Sequence, residues 1–404
     1  MTHRRDIVLL FTTRIIRLFA YGFLSVVLAL YLAEAGLVES QIGLLLTLTL
    51  AGDAAISLWL TTSADRLGRR RMLVLGAGLM ILAGVVFLFT RNPIFLTVAA
   101  ILGVISPSGN EIGPFLSIEQ AGLTQLISDE KRTQIFAWYN LVGSFATATG
   151  ALSGGWLAQG LQAGGWTALD SYRFVLAGYA LAGFVLILCF VSVSSAVEVV
   201  PQAQVAKHTL GLHKSRGVVL KLSSLFALDA FAGGLIVQSM MAFWFHVRFG
   251  VEAGVIGSIF FGANVLAGIS ALLAVRIAKK FGLINTMVFT HIPSNVLLML
   301  VPLMPNLPLA IGVLLARFSI SQMDVPTRQS YTMAVVAPDE RSAASGVTAI
   351  ARSVGAALSP SLTGIFLGIP GLISLPFFLC GGLKIVYDLA LWREFRMMKP
   401  PEEQ

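Results

Sequence analysis

Charge is the scarcest property of this 404-residue sequence, because only 12% of its residues are Asp, Glu, Lys or Arg. A soluble domain carries about 25% charged residues, so this composition argues against a water-exposed fold. Hydrophobic residues make up 56% of the chain, and the mean hydropathy is +0.83. The chain therefore has to bury its apolar surface in a lipid bilayer.

Cysteines are few, and the common catalytic motifs are missing. Cys189 and Cys380 lie far apart in apolar segments and form neither a CxxC pair nor a metal-binding spacing. The sequence lacks an H-E-x-x-H motif, a G-x-S-x-G nucleophile motif and the G-x-x-x-x-G-K-[ST] loop of ATP-driven proteins. We therefore expect no metal, no cofactor and no enzymatic activity, and an ATP-driven pump is disfavoured.

Positive charge exceeds negative charge, and the net charge is +8. The bases lie in short loops between apolar runs, which does not fit a nucleic-acid-binding surface. Alternate loops on one side contain nineteen of them, whereas the opposite loops contain only Arg91, Arg173 and Arg248. The positive-inside rule predicts a multi-pass protein of the cell membrane with both termini in the cytoplasm.

Apolar runs long enough to cross a bilayer recur along the chain, since a span needs about 20 residues. The N-terminal run lacks a small-residue cleavage site, so we expect an uncleaved first helix. The pattern predicts an all-α integral membrane protein with 12 transmembrane helices, an even number that agrees with both termini lying on one side. The predicted spans are 7–33, 41–63, 72–90, 94–126, 133–160, 172–195, 222–246, 253–275, 283–303, 307–336, 342–368 and 371–392.

One long polar connection divides the chain near its middle. Residues 198–221 are basic, and we expect them to form a cytoplasmic linker. They separate a six-helix N-terminal half, 1–197, from a six-helix C-terminal half, 222–404. Asp–Glu pairs at 129–130 and 339–340 follow the fourth and tenth spans, 210 residues apart, as parallel repeats would place them.

The loop after the second span reads TTSADRLGRRRM, from Thr61 to Met72. It resembles the G-x-x-x-D-R-x-G-R-R motif of the major facilitator superfamily, with Thr61 in place of the first glycine. Together with the helix count, the basic loops and the linker, this resemblance covers the whole chain and implies the superfamily's fold of two pseudo-symmetric halves. The matching residues are Asp65, Arg66, Gly68, Arg69 and Arg70.

The resemblance implies that these loop residues form a conformational latch at the cytoplasmic face. Asp65 would engage the start of the eleventh helix and a nearby arginine. The corresponding loop of the second half, VRIAKKFG, keeps Gly282 but lacks the acid, so we expect an asymmetric latch. The alternative is a solvated basic turn that only fixes topology.

The fifth span contains GALSGG, from Gly150 to Gly155. It is similar to the G-P-x-x-G-G element of drug:proton antiporters in this superfamily, with Ala151 in place of the proline. The alternative is ordinary packing, because glycines let a neighbouring membrane helix approach closely. Antiporter-like members are therefore the closest in pattern.

Six bases and six acids fall inside the predicted spans, where an unpaired ionised group costs at least about 2.5–3.5 kcal/mol. Their near balance suggests ion pairs around a water-filled cavity. The i, i+4 spacing permits Asp324 to pair with Arg328, and Lys384 to pair with Asp388.

Two polar stripes support a cavity. Arg14, Arg17 and Tyr21 share a face of the first helix, and Arg317, Ser321, Asp324 and Arg328 share a face of the tenth. By resemblance, the first, fourth, seventh and tenth helices line the central cavity. The substrate-cavity candidates are Arg17, Tyr21, Arg317, Asp324, Arg328 and Arg352.

The intramembrane acids are the candidates for proton coupling, because burial disfavours a charged carboxylate. Glu111 and Glu119 come first: we expect them on broadly one side of the fourth helix, which has no base of its own. Their alternative role is to neutralise arginines of the first or tenth helix. We expect His246 and His291 to be interfacial or packing residues. The proton-coupling candidates are Glu111, Glu119, Asp53 and Asp229, of which Asp53 has an alternative role as the partner of an arginine.

These features predict a monomeric secondary active transporter that works by alternating access in a lipid bilayer. Its other partners would be a small-molecule substrate and protons. The antiporter-like element favours proton-coupled efflux of a small organic or amphipathic compound. The arginines near the cavity instead suit proton-coupled import or exchange of a small anionic solute, by bidentate contacts. The two readings agree if the cargo is an organic anion.

Overall fold

The computed structural model describes residues 2–111, 114–127, 129–198, 213–337 and 340–398. Helices make up 84% of the described residues, which contain no strand. The predicted all-α class is confirmed. Seventeen α-helices occur in this part of the chain: α1 Thr2–Ser25, α2 Leu28–Glu34, α3 Glu39–Leu67, α4 Arg69–Phe89, α5 Pro93–Leu102, α6 Phe115–Leu126, α7 Asp129–Ala163, α8 Ala168–Ser192, α9 Arg216–Gly234, α10 Gln238–Phe249, α11 Ala253–Phe281, α12 Leu283–Leu300, α13 Leu307–Phe318, α14 Asp324–Ala334, α15 Arg341–Leu358, α16 Pro360–Leu367 and α17 Leu375–Phe395.

The helices follow the twelve predicted spans in order. Seven spans are single helices, and five are broken pairs: α1/α2, α5/α6, α9/α10, α13/α14 and α15/α16. Four of the broken pairs are the first, fourth, seventh and tenth spans. Within the described residues, nine helical segments are long and apolar enough to cross a membrane by length and composition. The architecture agrees with a twelve-span transporter fold.

Two matching turns support the internal repeat. Gly68 alone joins α3 to α4, and Gly282 alone joins α11 to α12. Both have positive φ, +102° and +83°, which an L-residue with a side chain rarely adopts. The second and third spans therefore meet in the same one-glycine turn as the eighth and ninth.

The fourth span is interrupted between α5 and α6. Pro107 and Pro114 cannot donate a backbone hydrogen bond, and Gly109 has a φ of +70°. Glu111 therefore lies in the break and Glu119 lies in α6, so the two acids do not share one continuous helix. Side-chain hydroxyls satisfy three of the freed carbonyls: Tyr179 donates to Val104, Thr147 to Gly109 and Ser106 to Asn110.

The tenth span is interrupted in the same way, between α13 and α14. Arg317 lies near the end of α13, Ser321 lies in the turn, and Asp324 begins α14. The predicted continuous stripe on one helix is therefore wrong, because the five non-helical residues 319–323 separate the two helices.

Contacts between residues divide the chain into two compact units. Unit 1 comprises Met1–Gln202 and Val237–Gly262, and unit 2 comprises Ala203–Ile236 and Ala263–Gln404. The first boundary, between residues 202 and 203, falls inside the predicted linker, whereas α10 and the start of α11 belong to unit 1. The predicted halves, 1–197 and 222–404, stay a prediction.

Glycines bring α1 and α7 together inside unit 1. A methyl group at Gly150 or Gly154 would overlap the backbone oxygen of Phe19 or Phe23, and one at Gly22 would overlap that of Thr147. Small residues thus let two backbones touch, as membrane helix pairs often require. The glycines of the antiporter-like element consequently have a packing role in this structure.

Candidate functional site

A cluster of four charged side chains, the N-terminal charge cluster, occupies the interior of unit 1. It consists of Arg14 and Arg17 from α1, Glu111 from the break and Glu119 from α6. Arg17 donates to both oxygens of Glu119, at 2.8 and 2.7 Å, and its Nε donates to Glu111 at 2.8 Å. Arg14 donates to Glu111 at 2.5 Å. The structure thus pairs both acids of the fourth span with the arginines of the first.

Neutral side chains complete the hydrogen bonding of this cluster. The hydroxyls of Thr13 and Tyr139 both donate to Glu119, the former at 2.7 Å. The guanidinium of Arg14 also donates to the carbonyl of Tyr139 at 2.9 Å and lies over its ring, 4.3 Å from the centroid. These polar contacts offset the cost of burying four charges, which would be several kcal/mol per ion without them.

The two acids of the cluster differ in access. Glu119 and Arg17 are fully buried, whereas the side chain of Glu111 keeps 12% of its exposure. Glu119 is enclosed by three partners, Arg17, Thr13 and Tyr139. Glu111 is the acid that solvent can reach, so it is better placed to exchange a proton.

Tyr21 and Asp53 lie in the same unit. Tyr21, one turn beyond Arg17 on α1, is fully buried, and its hydroxyl has no hydrogen-bond partner among the described residues. Asp53, half-buried in α3, accepts a hydrogen bond from Ser57 at 3.4 Å.

A second group of charges, the C-terminal charge cluster, lies in unit 2 and centres on Asp229 of α9. Asp229 accepts from Lys384 of α17 at 2.6 Å, from Arg352 of α15 at 3.0 Å and from Arg328 of α14 at 3.4 Å. Arg328 also donates to Asp324 at 2.7 Å, so the predicted i, i+4 pair is confirmed. The cluster holds three bases and two acids.

The other predicted i, i+4 pair is wrong. Lys384 donates to Asp229, and Asp388 lies instead 2.8 Å from Nδ1 of His291 on α12. Asn295 adds a hydrogen bond to the same carboxylate at 3.3 Å. His291 is therefore part of a buried polar pair rather than an interfacial or packing residue. His246 is exposed, and its Nδ1 contacts the carbonyl of Val251 at 2.9 Å.

Arg317 stands apart from both clusters. It is half-buried on α13, its guanidinium lies over the Phe318 ring at 4.8 Å, and its buried Nε has no hydrogen-bond partner within the described part of the chain.

The loop that carries the superfamily motif is held by hydrogen bonds to another residue of unit 1. Glu198, just beyond the sixth span, accepts the backbone N–H groups of Arg69 and Arg70 at 2.7 and 3.2 Å. A carboxylate at the start of α4 also suits the positive end of the helix dipole. Arg66 is exposed at the end of α3, and the side chain of Asp65 lies outside the described part of the structure. The latch itself stays a prediction.

Glu340 plays a similar role at the start of α9. Although its burial acts to raise the pKa, the backbone N–H groups of His213, Ser215 and Lys214 outweigh that effect and hold the pKa of Glu340 at about 2. The three nitrogens lie 2.6 to 2.8 Å from its oxygens. Glu340 is thus a carboxylate that anchors the described end of the predicted linker.

Several of these residues are not evident from the sequence. Tyr139 and Thr13 carry no motif, and Glu198 looks like the first residue of a linker. The pairing of His291 with Asp388 has a weak signal, because His291 and Asn295 are spaced i, i+4 in a mostly apolar helix. A polar face of that kind predicts a buried partner.

Comparison with known proteins agrees with this geometry. The chain is 33% identical over 418 aligned residues to the uncharacterized membrane protein YJR124C of Saccharomyces cerevisiae, covering 96% of this chain and 93% of the yeast protein. Its fold is similar to that of a D-xylose-proton symporter, at 15% identity and a TM-score of 0.75 with 98% of each chain covered. It is also similar to a bacterial homolog of the human lysosomal transporter Spinster in an inward-facing, occupied conformation, at 16% identity and a TM-score of 0.74 with 96% of each chain covered.

The profile of the Major Facilitator Superfamily matches residues 10–360, which include the N-terminal charge cluster and, apart from Lys384, the C-terminal charge cluster. The family and the transporter folds that share its architecture indicate a membrane transporter and not an enzyme. With the twelve spans and the motif loop, they lead to one conclusion: this chain belongs to the Major Facilitator Superfamily.

Proposed function

We propose that this protein is a secondary active transporter that moves a small organic anion by alternating access, coupled to protons. The observation that carries the anion is the charge balance of unit 2. Its intramembrane bases are Arg317, Arg328, Arg352 and Lys384, and its intramembrane acids are Asp229, Asp324 and Asp388. This surplus of one positive charge favours a negatively charged partner, because buried charge is costly until it is paired.

Arg317 is the group best suited to hold that partner. A guanidinium offers a planar fork of donors that matches a carboxylate, and its buried Nε has no acceptor among the described residues. A carboxylate ligand would supply the missing acceptor. Arg352 can contribute as well, since its side chain is 34% exposed while it contacts Asp229.

Glu111 is the proton carrier in this proposal. Its partial exposure gives water access, and it holds two guanidinium groups, those of Arg14 and Arg17. A proton on Glu111 would neutralise its carboxylate and weaken both ion pairs. The guanidinium groups of Arg14 and Arg17 would then lack one negatively charged partner, which a substrate anion could replace. Proton and anion would then bind together. Asp53, Asp229 and Glu119 are the other acids predicted to take part, and the four-donor enclosure of Glu119 favours a supporting role for it.

The direction of transport needs its own measurement. The prediction of efflux rests on the glycines of α7, and their contacts with α1 are accounted for by packing. The glycines therefore support close helix association equally well in an importer or an exporter. Transport is best assayed in both directions.

The test uses the full-length protein in liposomes with an imposed pH gradient. The probes are the anions acetate, benzoate, citrate and glucuronate, with uncharged glucose and the cation tetramethylammonium for comparison. We expect accumulation of an anion that collapses with the gradient. Transport of only the neutral or cationic probes, or transport indifferent to pH and membrane potential, would contradict the proposal.

One pair of variants connects this transport to Arg317. Arg317→Gln should weaken anion transport about tenfold or more, the effect of losing a charge-assisted hydrogen bond worth about 1.5–3 kcal/mol. Arg396→Gln is the matched control, because Arg396 lies beyond the last span and stacks on Trp392 at 4.3 Å. Equal transport by the two variants would remove Arg317 from the substrate site.

A further inference from the structure

One buried titratable pair takes no part in the function proposed above. His291 of α12 and Asp388 of α17 are both buried, with the imidazole Nδ1 2.8 Å from the carboxylate. Asn295, one turn beyond His291, donates to the other carboxylate oxygen at 3.3 Å. The amide oxygen of Asn295 is buried and has no hydrogen-bond partner in the described part of unit 2. The site thus offers an acceptor that no donor of the described chain uses.

We infer that His291 and Asp388 form a proton-binding site, and that the proton held there determines which carboxylate Lys384 engages. Histidine is the side chain that exchanges protons near neutral pH. Lys384 lies four residues before Asp388 on α17, so the two side chains share a helix face. In the structure its ammonium group is bonded to Asp229, 2.6 Å away.

Charge explains how the proton acts. With His291 neutral, Asp388 carries an unbalanced negative charge, and two buried carboxylates compete for one lysine. With His291 protonated, the charge of Asp388 is balanced at hydrogen-bond distance and Lys384 stays with Asp229. Lys384 and Asp388 lie one turn apart on α17, so a change of side-chain rotamer is enough to bring the ammonium group toward either carboxylate.

The unused oxygen of Asn295 fits the same picture. An amide side chain can present either its N–H or its oxygen after a half-turn about its terminal bond. If the proton resides on Asp388 instead of on the imidazole, the carboxyl O–H can donate to that oxygen. The site therefore has a hydrogen-bonded arrangement for a proton on either group.

Other charged and titratable groups surround the pair from the elements that pack on α12 and α17. The ring of Tyr387 stands edge-on to that of His291, with centroids 6.2 Å apart. α12 packs against α17, α14 and α13, and α17 packs against α9. Apart from the pair itself, the charged and titratable groups of these helices are Cys380, Lys384, Tyr387, Arg393 and Glu394 on α17, Asp324, Arg328 and Tyr331 on α14, Arg317 on α13, and Arg216, Lys221 and Asp229 on α9.

The proton site also extends the proposed function. Its expected effect on anion binding rests on that proposed function. Protonation of the pair adds one positive charge to unit 2, which already holds a cationic surplus. Anion affinity should therefore rise as the site loads. Proton and anion would bind in the same step, which is the condition for moving both in one direction.

Nuclear magnetic resonance of histidine tests the site without any substrate. The full-length protein, with its five histidines isotope-labelled, is titrated in lipid between about pH 5 and 8, and His291→Asn identifies the signal of His291. We expect that signal to titrate, and Asp388→Asn to lower the proton affinity of His291 about tenfold or more. A signal that keeps one form across the range, or an identical titration in Asp388→Asn, would overturn the inference.

Transport in liposomes tests the coupling. His291→Asn keeps an N–H donor near the position of Nδ1 but cannot bind a proton, and His246→Asn is the matched control at an exposed histidine. With the anion of the panel that accumulates most, His291→Asn should retain exchange at equal pH and lose several-fold of its gradient-driven accumulation. Full accumulation in His291→Asn would overturn the coupling. A wild-type protein that ignores the gradient would instead contradict the proposed function, while the resonance measurement still decides on the proton site.

Discussion

Glu119 and Arg17 form a two-armed ion pair inside unit 1, in which the carboxylate oxygens lie 2.8 and 2.7 Å from the two terminal nitrogens of the guanidinium. Both side chains are fully buried. Bidentate geometry is the strongest form of this contact. The fourth span is thereby tied to the first through a pair whose two members lie 102 residues apart.

Arg17→Gln should destabilise the protein by about 3–5 kcal/mol, because it leaves the carboxylate of Glu119 buried without its cation. The measurement is thermal unfolding of the purified protein in lipid or detergent. The control is Arg173→Gln, which removes a surface contact with Asp170 at 3.5 Å and should cost under about 1 kcal/mol. Restoration of stability by the double variant Arg17→Gln with Glu119→Gln is also expected. Equal losses in the two single variants would show that the buried pair is not structural.

Glu111→Gln and Glu119→Gln should separate coupling from stability. Glu111→Gln removes a titratable group that solvent reaches, so we expect gradient-driven accumulation to be lost while exchange at equal pH continues. Glu119→Gln removes an enclosed carboxylate, so we expect mainly a lower unfolding temperature. Both are read from transport and thermal unfolding of the same preparations. Full accumulation by Glu111→Gln would exclude it as the proton carrier.

Glu340 should make the start of α9 sensitive to acid. Its pKa is held at about 2 in the folded protein, below the ordinary value of 4.5. A depressed pKa contributes stability that is fully present above about pH 4.5 and is lost as the pH falls through about 2. The protection of residues 213–219 against hydrogen exchange, relative to an unstructured peptide at the same pH, should accordingly decrease as the pH falls through that window.

The same segment should exchange faster in Glu340→Gln at neutral pH. The matched control is Glu394→Gln, which breaks an exposed 2.7 Å pair with Lys221 and should leave the segment unchanged. Unaltered exchange in Glu340→Gln would show that other contacts hold the start of α9.

The glycines of α7 should differ sharply in their tolerance of a methyl group. Gly150→Ala would push a methyl group into the backbone oxygen of Phe19, and we expect a loss of about 1–3 kcal/mol or more. Gly160→Ala on the same helix meets no atom within 4 Å and should be neutral or gain up to about 1 kcal/mol. The yield of monodisperse protein and the unfolding temperature measure both effects. Similar behaviour of the two variants would contradict the close approach of α1 and α7.

Much of the fold could be predicted from the sequence, because hydropathy and length identify a span directly. The twelve spans and the one-glycine turn at Gly68 follow from local signals of that kind. The break in the fourth span also had a local signal in Pro107, Gly109 and Pro114. Its free carbonyls, however, are paired partly by hydroxyls of other helices, since Tyr179 and Thr147 donate to them.

The partners of the charged groups could not be predicted in the same way. Asp324 and Arg328 are paired as their spacing suggests. Lys384 has the same spacing from Asp388 but donates instead to Asp229, 155 residues away. Spacing on a helix decides which groups can meet, and the packing of distant helices decides which ones do. His291 was misjudged for that reason, since its partner lies on another helix.

The contact between Glu198 and the loop at Arg69 and Arg70 has a consequence for biosynthesis. The ribosome makes these arginines 129 and 128 residues before the carboxylate that binds their backbone. Domains of a growing chain fold as units from the N-terminus. The backbone N–H groups at the start of α4 therefore lack the carboxylate of Glu198 until the sixth span has been synthesised. Completion of the first half of the protein is thus the event that closes its most basic loop, and a chain released earlier would leave that loop open to proteases and chaperones.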